Sequence, residues 1–252
     1  MRSIQLEEMT WPEAKAAIGQ GYDTVVFAVG ATEQHGPHLP LATDSLVGDS
    51  LAKLVAKRLG HALVGPTLRI GCSQHHMAFP GTISLDASPM RDVIVRYGET
   101  ILQHGFKRLV IIPSHGGNFQ VVSEAGQNLQ QKCPTKHIIT YCDLKKVLDT
   151  SHKVSGAFGV SPEASGAHAG EFETSILLYL HPDLVDMSRA EQGFMGDLST
   201  AIPELMRDGV ARISANGILG DAREADGRRG EKYLAAWVDL IVDEVAKSNA
   251  TV

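Results

Sequence analysis

What this chain lacks narrows its class before any motif is read. In 252 residues no stretch approaches the ~18 consecutive uncharged apolar residues needed to span a bilayer. The opening MRSIQLEEMTWPEAKAAI has no continuous apolar core of the signal-peptide kind. There is no basic run and no interleaving of aromatic with basic residues. With a formal net charge of −6, a broad phosphate-binding surface is not expected, nor is nucleic acid as a partner. Cysteine is scarce: Cys72, Cys133 and Cys142 form no C-x-x-C pair, and an odd count argues against a disulfide framework. The expected setting is cytoplasmic.

What is present suits a folded enzyme. A hydrophobic content of 43% is ample for a buried core, and the length fits one large α/β domain over 1–252. Short β-branched runs alternate with longer amphipathic segments. Strands are expected at 24–30, from 62 to 64, at 108–113 and at 137–142. Helices are expected at 45–59 with Asp44 as N-cap, 89–104 with Gly105 past the end, 119–131, 171–180 and 231–246. Strands separated by helices of this length imply βαβ units: a mostly parallel sheet between two helical layers, a three-layer α/β/α fold. Two long irregular segments, 71–89 and 153–169, are expected as binding loops or lids.

The chemistry gathers in four of the connecting segments. After the first strand comes GATEQHGPHLPLATD, which places Glu33, His35, His38 and Asp44 together at a strand's carboxyl end, where open parallel sheets bind ligands. Imidazoles with carboxylates suit Zn, Mn or Fe; the same residues also suit caps in a polar loop. SHGGN follows another apolar strand. Its His115 is a further candidate ligand, and Gly116, Gly117 and Asn118 offer backbone donors to a bound group; a plain glycine-rich turn is the alternative. In HAGEFETS, Glu171 and Glu173 diverge by about 200° on a helix, so only one enters a site there, while His168 precedes the helix. GCSQHHMAFPGTISL adds His75 and His76. Six of eleven histidines lie in these four loops, and structural histidines have no reason to cluster so.

The strings ATEQHGPHLPLATD, FPGTISL, SHGGN and HAGEFETS, in this order, resemble the creatininase family, and 216–237 resembles that family's final loop and helix. The likeness spans nearly the whole chain. It implies homo-oligomers, often hexamers, and a site for two divalent cations (Zn, Mn or Fe) that hydrolyses a C–N bond of a small-molecule cyclic amide, amidine or formamide by metal-activated water. Carried over residue by residue, it implies Glu33, Asp44 and His115 on one metal, His35 and Asp44 on the other with Asp44 bridging, and His168 as acid/base. Ser73, His76, Gly116, Gly117, Asn118 and Cys142 are implied around the substrate. Two departures stand out. Creatininase has a ligating glutamate where this chain has Gly117, so either Glu173 completes the second site or that metal is weaker or absent; the family-wide ETS string favours Glu173. Creatininase also lines its substrate with tryptophans at the positions of Cys142 and Ala164, so the substrate here is expected to differ from creatinine.

Overall fold

The run Thr24–Val29 (β1) is buried at every position, because both of its edges are paired and both of its faces are covered. Ala62–Val64 (β2) lies along one edge and Arg108–Pro113 (β3) along the other, and His137–Thr140 (β4) adds beyond β3. All four strands are parallel, in the order β2-β1-β3-β4. The structure, a computed structural model, describes residues 2–250.

Strand alternation builds two separate cores. Val26 and Ala28 of β1, with Val110 and Ile112 of β3, point to one face. There they meet helices Thr43–Leu59 (α2), Leu144–Gly156 (α5), Glu171–Leu180 (α7) and Gly227–Ala250 (α9), through Leu51, Val55, Val147, Ile176 and Ile241 among others. The intervening residues Val25, Phe27, Val29, Leu109 and Ile111 point to the other face. They pack on Trp11–Gly19 (α1), Ala87–Gln103 (α3) and Phe119–Lys132 (α4) through Ala17, Ile94, Val122 and Leu129. The three-layer α/β/α arrangement expected from the sequence is the one the chain adopts.

The strand order fixes where a site can form. The connection from β1 to β2 runs through α2 over the first face. The connection from β2 then passes β1 and reaches β3 through α3 on the second face. The loops leaving β1 and β3 therefore part in opposite directions, and the crevice between them is the topological switch point of the sheet.

Several expected boundaries move. Helix α2 begins at Thr43 with Ala42 as its cap residue, so Asp44 sits inside the first turn rather than capping it. Helix α3 begins at Ala87, ahead of Pro89, and β4 stops at Thr140, short of Cys142. The expected loop at 153–169 is partly helical: α5 runs to Gly156, and Pro162–Ser165 (α6) forms a short turn of helix whose N-cap, the Ser161 hydroxyl, accepts from the Ala164 N–H. Leu144, Val147 and Val154 give α5 one apolar face, which packs into the first core. Helix α1 and the helix Leu198–Asp208 (α8) had no counterpart in the sequence reading. Among the described residues no helix is long and apolar enough to cross a membrane.

Leu129 is fully buried in the second core, remote from the crevice. Leu129→Ala is expected to cost about 2–5 kcal/mol in urea unfolding of the metal-free protein. A cost under about 1 kcal/mol would show that this layer is not closely packed.

Candidate metal centre

Four segments deliver side chains into the crevice. The loop after β1 is pinned on both sides: the Glu33 N–H donates to the Leu41 carbonyl (2.9 Å), and the Gln34 N–H donates to the Thr82 hydroxyl of the PGT turn (3.3 Å). Asp44 comes from the first turn of α2, and His115 follows β3 directly. His168 is held in a backbone bridge with Leu219 just ahead of α7. Ala169 then adopts φ +52°, a left-handed conformation unfavourable for a residue with a Cβ. Its N–H donates to Glu173 Oε2 (2.6 Å), which fixes the carboxylate in the first turn of α7.

The polar atoms converge. His115 Nδ1 lies 3.2 Å from Glu33 Oε1 and 3.3 Å from Asp44 Oδ2. His35 Nε2 lies 3.3 Å from Asp44 Oδ1 and 3.7 Å from Glu173 Oε2. The two oxygens of Asp44 thus face two different imidazoles. His76 Nε2 and His168 Nδ1 approach Glu33 Oε1 at 3.3 and 3.6 Å. Solvent reaches this cluster beside Glu173, whose side chain is 16% exposed against 0% for Glu33 and 3% for Asp44.

The arrangement fits divalent cations. Both Glu33 oxygens, His35 Nε2 and Asp44 Oδ2 are buried with no hydrogen-bond partner among the described residues, a costly state for a folded protein to leave unanswered. The far nitrogens of two rings face backbone carbonyls: His35 Nδ1 donates to the Glu33 carbonyl and His115 Nε2 to the Cys72 carbonyl, each at 3.1 Å. That aims His35 Nε2 and His115 Nδ1 inward as the atoms that would ligate a cation on losing their protons, with the usual outer support of a metal-ligating imidazole. A tetrahedral cation with donors at about 2.0–2.2 Å keeps them about 3.3–3.5 Å apart, close to the separations seen here. Glu33–His35–Asp44 and His35–His168–Glu173 each bring one donor atom per residue within 4.8 Å of one another.

The charges of the metal-free cluster are strongly coupled. Burial alone would lower His35, but Asp44, then Glu173 and Glu33, reverse this and carry it up to about 9. His115 is likewise raised, because Glu33 and Asp44 overcome its burial. Burial works to raise Asp44, and His35 and His115 hold it well below the usual carboxylate range instead. Burial raises Glu173 to about 7 against the pull of His35. Burial and the neighbouring imidazoles push His168 and His76 down, so both are neutral rings.

Not every residue expected at the site reaches it. Asn118 is a framework residue: its Nδ2 donates to the Val29 and Gly30 carbonyls and its Oδ1 accepts from the Cys72 N–H, so its side chain ties the loops together. Cys142 is a partly buried thiol packed against both apolar cores. Ser73 Oγ lies 3.4 Å from His115 Nε2, behind the ring rather than in front of it. Gly117 is the close-approach position: a Cβ there would lie 2.2 Å from the Cys72 carbonyl and 2.6 Å from His115 Nε2, so a glutamate has no room. Gly116 is exposed with open space in front of it. Glu171 points away from the crevice and accepts from Tyr233 Oη (2.5 Å), Ser175 Oγ (2.7 Å) and Arg229 Nε (2.7 Å), which leaves Glu173 as the acid of α7 that enters. Gln34 was missed as a site residue; its only sequence signal is its place between Glu33 and His35.

The match to the family model described as creatinine amidohydrolase covers residues 7–245, and the chain belongs to the creatininase family. It is 31% identical over 246 residues to a mycofactocin precursor peptide peptidase of Mycobacterium ulcerans, covering 94% of this chain and 86% of that one. It is 30% identical over 259 residues to the creatinine amidohydrolase of Pseudomonas putida, covering 97% and 96%. A solved mutant creatininase of Zn–Zn type superposes with a TM-score of 0.79 at 28% identity, covering 98% of each chain.

The raised values of His35 and Glu173 set the sign of a pH effect. A group whose value is raised on folding stabilises most at low pH and loses that contribution as pH rises through its folded value. The melting temperature of chelator-stripped protein is therefore expected to fall between pH 6.5 and about 9. Protein melted with excess zinc should lose much less over that range, because a cation replaces the protons. Parallel curves for the two forms would show that these groups do not face a cation.

Proposed function

We propose that this chain is a metal-dependent amidohydrolase. Glu33, Asp44 and His115 would hold one divalent cation and His35, Asp44 and Glu173 a second, for cleavage of a C–N bond of a small cyclic amide, amidine or formamide. The observation that carries the reading is Asp44, which presents Oδ1 to His35 and Oδ2 to His115 at 3.3 Å each, the disposition of a bridging carboxylate. These residues would hold cations whose chemistry would be to lower the pKa of a water and to polarise a carbonyl.

The chain's own groups do the rest. His168 donates its Nε2–H to the Gln34 carbonyl at 2.7 Å, so its Nδ1 is the basic atom facing the cluster. Neutral and buried, it takes the proton from the attacking water and returns it to the departing nitrogen as the carbon–nitrogen bond breaks. Gly116 leaves room for the body of the substrate beside His115. No tryptophan stands at the positions of Cys142 and Ala164; Trp11 lies exposed on α1, and Trp237 is packed in the first core. This supports a substrate other than creatinine. The likeness to a precursor peptide peptidase favours a second reading, in which the scissile bond lies in a short peptide.

Metal analysis of protein loaded and then desalted tests the ligand set. Asp44→Ala is expected to lose both equivalents, and Glu173→Gln to keep one. Glu171→Gln should keep both while losing about 3 kcal/mol of stability, because it breaks a buried pair. Full metal retention in Asp44→Ala would remove the bridging assignment.

Turnover on a panel of cyclic amides, formamides, lactams and short peptides tests the activity. His168→Ala should lower the rate roughly 100- to 10,000-fold with metal content intact. Loss of metal would make His168 a ligand instead, and absence of turnover by the loaded wild type on every class would remove the hydrolase reading.

A further inference from the structure

His76 faces the same carboxylate as His168, and together with Glu33 and His168 it offers atoms within 4.8 Å of one another, as a set of metal ligands would. Its hydrogen bonding gives it a different role, and Gln34 decides it.

The Gln34 side chain is buried and its amide has one allowed orientation. Oε1 accepts from the Gly36 N–H (2.9 Å) and Nε2 donates to the Gly217 carbonyl (3.1 Å). A half turn of the amide would set oxygen against oxygen and N–H against N–H. The final loop closes on this amide because residue 217 is glycine: it sits at φ +80°, and a Cβ there would lie 2.0 Å from Gln34 Oε1. With the amide fixed, its second N–H meets His76 Nδ1 at 2.8 Å. His76 Nδ1 is therefore an acceptor and the ring proton is on Nε2. A protonated Nε2 cannot ligate a metal.

The backbone of the same residue does the reverse to His168. The Gln34 carbonyl accepts from His168 Nε2 at 2.7 Å, leaving His168 Nδ1 as the acceptor. The 3.0 Å approach of Gln34 Nε2 to His168 Nε2 is then a contact between two donors and not a hydrogen bond. One glutamine thus fixes two rings, 4.4 Å apart, in opposite senses. His76 Nε2 lies 3.3 Å from Glu33 Oε1, yet that oxygen has no hydrogen-bond partner among the described residues, so the His76 N–H is not aligned on the carboxylate and is available to a group beside it.

We infer that His76 is a fixed, neutral hydrogen-bond donor to the carbonyl oxygen of the scissile bond, and that Gln34 is the positioning residue that holds it so. The inference rests on the hydrolase reading above. Attack of water on an amide carbon puts negative charge on the carbonyl oxygen and releases a proton, so it calls for one donor and one acceptor side by side. His168 Nδ1 takes the proton and passes it to the leaving nitrogen. His76 donates a hydrogen bond and transfers nothing, so the balance of the hydrolysis is unchanged.

Two-bond proton–nitrogen NMR on metal-free protein labelled with ¹⁵N-histidine reads the tautomer directly. The expected wild-type pattern is Nε2 protonated and Nδ1 bare in His76, and Gln34→Leu should abolish that fixed preference. His76→Leu is expected to keep its full metal complement and to lower kcat roughly 100-fold with KM little changed, measured on whichever panel substrate turns over. His76→Gln, which again offers an N–H, should recover part of the rate. A protonated Nδ1 in the wild type, a lost metal equivalent in His76→Leu, or an unchanged kcat would each overturn the assignment. If nothing on the panel turns over, the hydrolase reading fails, while the tautomer and metal readouts still decide whether His76 is a donor or a ligand.

Discussion

Three carboxylates, two of them fully buried and the third at the edge of solvent, meet at the point where the loops after β1 and β3 part, and their charge must be balanced. Glu33, Asp44 and Glu173 cannot be left bare in such a place, since an uncompensated buried carboxylate costs several kcal/mol even after relaxation. In the metal-free chain the balance is made by protons, which is why His35 rises to about 9 and Glu173 to about 7. Protons do the task poorly: they leave both oxygens of Glu33 and one of Asp44 without a hydrogen-bond partner among the described residues. A site that is unsatisfied with protons and has its lone pairs converging is matched to a stronger positive charge.

The precision of this cluster comes from the backbone. His35 is tied to the Glu33 carbonyl, His115 to the Cys72 carbonyl and His168 to the Gln34 carbonyl. None of these ties depends on a flexible side chain, so ring orientation follows directly from loop conformation. Loop conformation in turn follows from the sheet: Asn118 stitches the ends of β1 to Cys72, and the Ser114 hydroxyl donates to the Asp44 carbonyl at 2.8 Å, joining the end of β3 to α2. On the far side, Glu171 anchors α7 to α9 through Arg229 and Tyr233, which holds Glu173 against the pocket. The two cores set by alternate residues of β1 and β3 therefore support the site from both faces.

Much of this was legible in the sequence, for a physical reason. A strand buried on both faces must be apolar throughout, so β1 and β3 stand out as unbroken runs, and the polar residues that follow them mark the crevice. Helical geometry admits only one of Glu171 and Glu173 to the crevice, and the resemblance, through the ETS string, names Glu173. Other features carried no such signal. Helix α1 has only Ala17 buried and so no strong apolar period. Asp44 has both the residue type and the position of a cap, so its local pattern leaves cap and ligand open; the family resemblance names it a ligand, and the fold turns its carboxylate toward two imidazoles. Asn118 and Gln34 are amides whose roles depend on partners 88 and 183 residues away, which no local pattern encodes.

Gly117 bears on what the site will accept. Where the family pattern has a ligating glutamate, this chain brings in the Cys72 carbonyl, which occupies the space and bonds His115 from behind. The exchange replaces a negative charge at the metals with a neutral acceptor beside a ligand. On the two-cation reading, two divalent ions carry four positive charges, and Glu33, Asp44 and Glu173 answer three of them. On that reading one unit of positive charge is left unanswered by the chain's own carboxylates, and a low-dielectric pocket makes such an excess count strongly.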